Sequence, residues 1–482
     1  MSKERQITAI LFTILCCAFT KVQSGNRMAL DSVLCLGLPV VEVATIDSIE
    51  PTGEYVDAPE GFFGRTVLNA MNVPGRLRVW RPDGILLYDS KEEGMTIKLR
   101  GNWSATRKLK PYKVKLQRKA DLLNRGNDAK YKDKNWLLLK DCRNTQWGST
   151  LNDIVGLQVS RMVGLPWTPA YANVNLLFNG EYRGLYLLVE SIDRNPHCRI
   201  DVNKQEGFVV ERDLYWWKTP CYFDTLLSDS LLRFTFTYPD EDDVTADQID
   251  YIKDAVMKME ESIVRGDYDK YLDVHSLAAW VLGHDILGTS DGGGANFFLT
   301  KYDHSPQSKL LASTLWDFDT NYNTEGRWSM LHTSPLFYFE RLFSSPNPAF
   351  AAEYVRQWQA LSPIFLDAMQ SWLNNLASSP TGVAMDASRV VQDKLWNFRN
   401  VTVREDVEEA MSWFTTRKVW LDEQMMEIDT VDRRNGIGLP NVTPRNSSHV
   451  YYDLSGRRLS ARPTKGLYIE DGKVKVGVKD EE

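Results

Sequence analysis

An acidic residue, an amide and a pair of carboxylates are the groups in this sequence whose types and spacing best suit chemistry. Asp291 precedes Asn296 by five positions across three glycines, and Asp317 and Asp319 flank Phe318 after an apolar stretch. In metal-assisted phosphoryl transfer, one carboxylate accepts the proton of the acceptor hydroxyl, while an amide and a second carboxylate hold a divalent cation against the phosphates. In an extended segment the two carboxylates would share one side, which suits a cation with oxygen ligands. The order and spacing therefore predict a metal–phosphate site, although the glycines would also suit a simple turn.

A turn in the N-terminal half carries residues that could approach a phosphate. Residues 100–104 read Arg-Gly-Asn-Trp-Ser and lie between two predicted strands. Gly101 allows the backbone to come close to a ligand, and the side chains of Asn102 and Ser104 can donate hydrogen bonds. Turns between strands are commonly rich in these residue types, so the motif also fits a purely structural turn.

Two lysines and a glutamate on neighbouring predicted strands could add to such a site. Lys113 and Lys115 alternate with apolar residues, so one of them could point inward at a phosphate. Glu190 ends an apolar strand and is a candidate partner for that lysine. The competing interpretations are a solvent-facing basic stripe on an amphipathic strand and a solvated charge at the rim of the sheet.

The elements that would position these groups change in type near residue 245. Before it, the pattern predicts a β-rich half that includes a hairpin around Asn179-Gly180, the pair best suited to a tight turn. The predicted strands are 38–46, 96–100, 111–116, 136–139, 172–178, 182–190, 207–211 and 309–315, and a mobile loop is expected at 118–134. The predicted helices are 149–163, 246–264, 274–287, 349–376 and 387–426. This order predicts a two-lobed α+β enzyme with its cleft between the lobes.

The N-terminal residues and the overall charge bear on location and partners. Residues 1–24 combine early charged residues, an apolar run and a small terminal residue, which predicts a secretory signal peptide; an uncleaved anchor helix is the alternative. We expect no stable membrane span elsewhere in the chain. The formal net charge of −7 argues against nucleic acid as a partner. Four cysteines follow the predicted cleavage site, and their spacing fits no zinc site and leaves disulfide formation open.

Taken in order, these motifs resemble the CotH kinase family, named for spore coat protein H, in the form of a secreted Bacteroidota-type member. The resemblance rests on Arg100–Ser104, Lys110–Leu116, Asn135–Asn144, Asn179–Glu190, Asp291–Asn296 and Trp316–Asp319. It implies an atypical protein-kinase-like fold with a β-rich N-terminal lobe and a mainly helical C-terminal lobe. It also implies transfer of phosphate from ATP to Ser or Thr of secreted or surface proteins, with Mg²⁺ or Mn²⁺ as the metal.

The resemblance assigns roles by position. Asp291 would be the catalytic residue, and Asn296 and Asp317 would hold the metal, with Asp319 assisting. The residues expected to bind the nucleotide are Lys115 or Lys113, Glu190, Arg100 and Ser104. The alternative function is that of a catalytically inactive kinase-fold protein with a binding or structural role at the cell surface, such as a glycan-associated one. Metal-dependent nucleotide binding separates the two, because only the enzyme requires it.

The expected domain organisation has three parts. The signal peptide at 1–24 is followed by a kinase-like domain at 38–430, whose lobes span about 38–240 and 241–430. Residues 436–482 are expected to form a linker and a short β tail that resembles a secretion sorting signal. Together with the signal peptide, this tail predicts a secreted, periplasmic or cell-surface location.

Overall fold

The computed structural model describes residues 26–62, 64–102, 104–126, 129–140, 151–227, 230–289, 296–322, 337–398 and 401–431, together with four short strands between residues 451 and 476. In its N-terminal half, two helices accompany ten strands. The helices are α1 (Leu30–Leu34) and α2 (Asn152–Met162). The strands are β1 (Val40–Thr45), β2 (Glu54–Asp57), β3 (Arg65–Leu68), β4 (Val73–Trp80), β5 (Leu86–Asp89), β6 (Met95–Leu99), β7 (Tyr112–Ala120), β8 (Asp133–Lys140), β9 (Tyr171–Phe178) and β10 (Glu181–Glu190).

Seven of these strands close into a barrel. Their order is β1, β9, β10, β8, β7, β6 and β4, and antiparallel pairing between β4 and β1 completes the ring. β1 pairs with β9 in parallel, whereas β6, β7, β8 and β10 follow one another as antiparallel neighbours. The predicted strands of the β-rich half up to Glu190 all lie in this ring. The α+β class is therefore confirmed, and the N-terminal half has the specific form of a barrel.

Alternating apolar residues fill the barrel. Val114 on β7 lies opposite Trp136 on β8, and both are fully buried in the interior together with Tyr186 on β10. Because side chains on a strand alternate between its two faces, Tyr112, Val114 and Leu116 share this inner face. The apolar face predicted for this strand is confirmed.

Two local predictions in the barrel have different outcomes. Asn179 and Gly180 form the predicted turn between β9 and β10 with φ values of 50° and 77°, both in the left-handed region that such a turn requires. The loop predicted at 118–134 is only partly correct, because β7 continues to Ala120 and β8 already begins at Asp133.

In the part of the second half that the structure describes, an antiparallel sheet accompanies six α-helices. The sheet order is β12 (Tyr222–Leu227), β13 (Ser230–Tyr238), β11 (Phe208–Arg212), β14 (Phe297–Lys301) and β15 (Leu311–Ala312). The helices are α3 (Ala246–Arg265), α4 (Val274–Leu287), α5 (Phe337–Phe343), α6 (Ala349–Ser378), α7 (Pro380–Trp396) and α8 (Val403–Met425). The predicted helices starting at residues 246, 274 and 349 are confirmed, and the strand predicted at 309–315 is reduced to the two residues of β15.

The helix predicted at 387–426 is wrong because it is two helices. Asn397 adopts a left-handed conformation at the end of α7, with φ of 57°. Thr402 then caps α8 in a reciprocal arrangement with Glu405, in which each side chain accepts a hydrogen bond from the backbone of the other. These two local signals interrupt an apolar pattern that otherwise continues across the junction.

One apolar core joins the two halves. It includes Leu137 and Leu187 on the outer face of the barrel, Phe208 on β11 and Trp280 on α4. The residues of α4 from 276 to 287 are all buried, so this helix runs through the centre of the core. The outer wall of the barrel is therefore the surface on which the helical half packs.

The C-terminal segment adds a small antiparallel sheet of short strands in the predicted tail. Its order is β17 (Arg458–Leu459), β16 (Tyr451–Tyr452), β18 (Leu467–Glu470) and β19 (Lys473–Val476). Among the helices of the described ranges, none has the length and hydropathy needed to cross a membrane. The predicted signal peptide lies outside the described residues.

Candidate active site

A cleft opens at one end of the barrel, where β6 and β8 end and β7 begins. Its empty volume, including the open mouth, is about 500 Å³. The residues that line it are Arg100, Ser104, Pro111, Leu139, Lys140, Asp153, Leu157, Trp316, Asp317, Phe318 and Asp319. The wall thus combines the barrel and α2 with the segment that follows β15. Four residues predicted for the site from the sequence, namely Arg100, Ser104, Asp317 and Asp319, meet here.

The amide and carboxylate predicted as metal ligands lie next to each other. The Nδ2 atom of Asn296 donates a long hydrogen bond to Oδ2 of Asp317, at 3.4 Å. Both residues have left-handed backbones, with φ of 58° and 65°, a conformation that Asn and Asp adopt more readily than most side chains. The segment is therefore not extended at Asp317, and the prediction that an extended backbone aligns its carboxylate with that of Asp319 is wrong. The exposed Asp317 side chain faces the cleft at its mouth.

Phe318 fixes the position of this carboxylate segment. Its ring is buried, with 2% of the residue exposed, and it packs directly on the backbone of α2 at Gly156. A Cβ atom at Gly156 would lie 2.1 Å from the ring, well inside van der Waals contact. The glycine therefore allows the close approach that holds the neighbouring aspartates over the cleft.

Arg100 connects the barrel end to the carboxylates. Its guanidinium lies over the ring of Trp316, with Cζ 5.4 Å from the ring centroid. Burial lowers the pKa of Arg100, while the carboxylates of Asp317 and, more weakly, Asp153 oppose that shift. Because arginine deprotonates only at very high pH, the side chain keeps its charge beside these groups. Arg100 thus offsets the negative charge that collects at the mouth of the cleft.

The glycine turn after β6 is held by hydrogen bonds from several segments. Gly101 has φ of 81°, and its carbonyl accepts a hydrogen bond from the amide of Asn69 at 2.7 Å. Oδ1 of Asn102 accepts from the hydroxyl of Thr66 at 2.7 Å and from Nζ of Lys218 at 2.5 Å. The predicted turn is present, and Asn102 supports it, while Ser104 reaches the cleft.

Comparison with known protein families identifies the family of this chain. The family model of the CotH kinase protein matches residues 97–421, more than half of the chain. This chain belongs to the CotH kinase family. The match runs from β6 to α8, so it contains every described residue of the cleft. A search of curated proteins found no match.

Membership of the CotH kinase family indicates a kinase-like function, but the lysines predicted to bind the nucleotide lie away from the cleft. Lys113 is opposite Leu137 on β8 and Lys98 on β6, so it points to the outside of the barrel. Lys115, two residues further on, shares that outer face and is exposed. Burial lowers the pKa of Lys113, and the carboxylate of Asp193 opposes this shift more strongly than that of Asp240.

The predicted pairing of Glu190 with one of these lysines is wrong. Glu190 lies opposite Trp136 on β8 and therefore has the opposite orientation to Lys113. Its carboxylate accepts hydrogen bonds from Nη1 of Arg125 at 2.9 Å and from the backbone N–H of Ala170 at 2.9 Å. A strand position alone could not show this, because the partner comes from the β7–β8 connection.

Three charged residues at or near the cleft were not predicted from the sequence. Lys140 is the last residue of β8, and Asp153 lies in the first turn of α2; both line the wall. Glu211 on β11 has its pKa raised to about 8, chiefly by burial and then by Asp213, while Lys218 and Arg100 lower it. Lys140 and Glu211 each lie at or near the end of an apolar strand, and this is the only local signal in the sequence that marks them. The signal is not specific, because Glu190 also ends an apolar strand and does not lie in the cleft.

Asp291, the predicted catalytic residue, lies outside the described residues, as do residues 141–144 of the family resemblance. Within the described ranges, no three His, Cys, Asp or Glu side chains converge as a metal site. The described part of the site includes the Asn296–Asp317 pair and the cleft-lining residues Asp319, Asp153, Ser104, Arg100 and Lys140.

Proposed function

We propose that this chain is a metal-dependent phosphotransferase that moves the γ-phosphoryl group of ATP to Ser or Thr hydroxyls of secreted or surface proteins. The observation that carries the proposal is the meeting of Asn296 and Asp317 at the cleft, beside the guanidinium of Arg100. An amide and a carboxylate from separate segments, next to a fixed cation, are the polar groups that phosphoryl transfer requires.

The available donors fit Mg²⁺ or Mn²⁺. Mg²⁺ is usually held by one or two carboxylates, and water and substrate phosphates fill its other positions. Asp317 offers a carboxylate, Asn296 an amide oxygen, and Asp319 a further carboxylate on the same wall. When bound, the cation would neutralise charge on the phosphate oxygens.

The remaining roles follow from the chemistry of the transfer. The oxygen of the acceptor hydroxyl would form a bond to the γ-phosphorus, and Asp291 would accept the proton that this hydroxyl loses. The bond between that phosphorus and the bridging oxygen breaks, and the electron pair leaves with ADP. Arg100 and the turn that ends in Ser104 would orient the phosphates, because catalysis in this reaction class comes mainly from positioning and charge stabilisation.

The kinase-like architecture and the location are part of the same proposal. The barrel would form the N-terminal lobe and the helical half the C-terminal lobe, with the nucleotide in the cleft that both line. The apolar N-terminal residues and the short tail strands support a secreted, periplasmic or surface location, where the acceptor would be another exported protein.

The test is incubation of the purified protein with γ-labelled ATP and either Mg²⁺ or Mn²⁺. We expect label on the protein itself or on casein with the wild type and with Asp242→Ala, an exposed aspartate outside the cleft. Asp317→Ala should remove the label without unfolding the protein. Equal labelling by Asp317→Ala would contradict the assignment. Absence of both label and metal-dependent ATP binding in the wild type would favour the inactive surface-protein alternative, and transfer from α-labelled ATP alone would indicate AMP transfer.

A further inference from the structure

Lys140 is a buried cation on the wall of the cleft. It is the last residue of β8, only 6% of it is exposed, and it lines the cleft together with Arg100 and Ser104. In the described part of the chain, no carboxylate lies within 4.0 Å of its ammonium nitrogen, and no hydrogen bond engages it. The residue is thus largely buried at the cleft wall, and its ammonium group has no carboxylate partner among the described residues.

Such an arrangement is unfavourable unless an anion arrives. Burying an ammonium group without a counter-charge is unfavourable, and lysines in protein interiors are almost always paired with an anionic group. Arg100 differs in this respect, because it stacks on Trp316 and faces the carboxylate of Asp317. Arg100 therefore already has an acidic neighbour in the protein, whereas Lys140 has no carboxylate partner among the described residues.

The other lysines considered for this role are less suitable. Lys113 and Lys115 point away from the barrel interior, and neither lines the cleft. Lys113 also lies directly opposite Lys98, so its surroundings already contain a second positive charge. The sheet register thus separates these lysines from Asp317, whereas the end of β8 places Lys140 on the wall that Asp317 shares.

We propose that Lys140 is the residue that contacts the phosphate chain of the nucleotide in the cleft. The inference rests on the proposed function, because it assigns the phosphate-binding lysine of that same site. Its ammonium group donates hydrogen bonds to phosphate oxygens and offsets their charge. The nucleotide phosphates accordingly enter at the barrel end, between Ser104 and Asp317.

The test compares Lys140→Met with Lys140→Arg, Lys113→Met and Lys115→Met by calorimetry, using ATP, adenosine and inorganic pyrophosphate with Mg²⁺. Lys134→Met, an exposed position at the other end of the same strand, is the matched control. We expect Lys140→Met to bind ATP and pyrophosphate at least about tenfold more weakly, the effect of losing a charged hydrogen bond. Adenosine affinity should be unchanged, and Lys140→Arg should retain most of the ATP affinity.

Thermal unfolding without ligand distinguishes this role from a structural one. Replacing a buried unpaired charge by an apolar side chain of similar length should leave the Tm of Lys140→Met unchanged or higher. Unaltered ATP affinity in Lys140→Met, or a loss in Lys113→Met or Lys115→Met instead, would overturn the inference. A lower Tm together with equal losses for adenosine and ATP would also overturn it. Wild-type ATP binding without phosphoryl transfer would contradict only the proposed function.

Discussion

The contact between Gly156 and Phe318 makes activity more sensitive than stability to a single methyl group. In Gly156→Ala the new Cβ would start 2.1 Å from one ring carbon of Phe318 and 2.5 Å from another. Carbon atoms pack at about 3.5–4.0 Å, so the ring or the helix must move by roughly 1.5 Å. The flanking Asp317 and Asp319 would move with the ring.

Gly156→Ala has two opposing effects on the free energy of unfolding, whereas its effect on catalysis is only a loss. Overpacking a core costs about 1–3 kcal/mol, while replacing glycine by alanine in a helix contributes about 0.8–1.0 kcal/mol of stabilisation. The net loss in the free energy of unfolding of Gly156→Ala should therefore be about 0–2 kcal/mol. A displacement of about 1 Å at reacting groups can lower the rate about a hundredfold. We expect the transfer rate to fall by that order while the protein stays folded.

The assay measures label transfer and urea unfolding for Gly156→Ala beside Gln158→Ala, a change in the same helix away from Phe318. A double variant that adds Phe318→Leu should recover part of the activity, because the smaller side chain makes room for the methyl group. Activity of Gly156→Ala within about threefold of wild type would refute the reasoning, since a shift of about 1 Å should cost far more. Failure of the double variant to show any coupling would refute it as well.

Two other carboxylates give distinct signatures. The folded-state pKa of Glu211, about 8, lies above its ordinary value of 4.5. The fold therefore has its full stability from this group below pH 4.5, where Glu211 is protonated, and loses that contribution as the pH rises through 8. Between pH 5 and 8, the free energy of unfolding of the wild type, measured in urea, should fall relative to that of Glu211→Gln by up to about 1.4 kcal/mol per pH unit. The same pH dependence in both proteins would contradict this. Glu190→Gln should lower the free energy of unfolding by about 1–3 kcal/mol, since it weakens the bond to Arg125, with ATP affinity unchanged. A selective loss of ATP affinity in Glu190→Gln would restore the predicted role of Glu190.

Local sequence signals were sufficient where a residue's own conformation decides the structure. The turn at Asn179-Gly180 and the apolar alternation of Val114 required no knowledge of distant partners. The junction at Asn397 and Thr402 carried equally local signals, a left-handed end and a capping pair, which the longer apolar periodicity obscured. In all three cases, a few neighbouring residues determine the local structure.

Long-range pairing decided the rest of the site. Lys113, Lys140 and Glu190 all lie on strands of similar sequence character, and only the register of β7, β8 and β10 shows which side chain reaches the cleft. Asp317 adopts a left-handed backbone that an apolar strand pattern does not reveal. The candidate site could therefore be predicted as a set of residue types, whereas the assignment of the lysine required the fold.

In the proposed function, the cleft beside Asp317 binds a divalent cation and ATP. The most direct test is a crystal structure of the protein with Mn²⁺ and a non-hydrolysable ATP analogue, in which the anomalous signal locates the cation. We predict the Mn²⁺ peak within about 2.5 Å of a carboxylate oxygen of Asp317, with the phosphates in the cleft lined by Lys140. A peak distant from Asp317, or phosphates on the outer face of the barrel beside Lys113, would contradict the account.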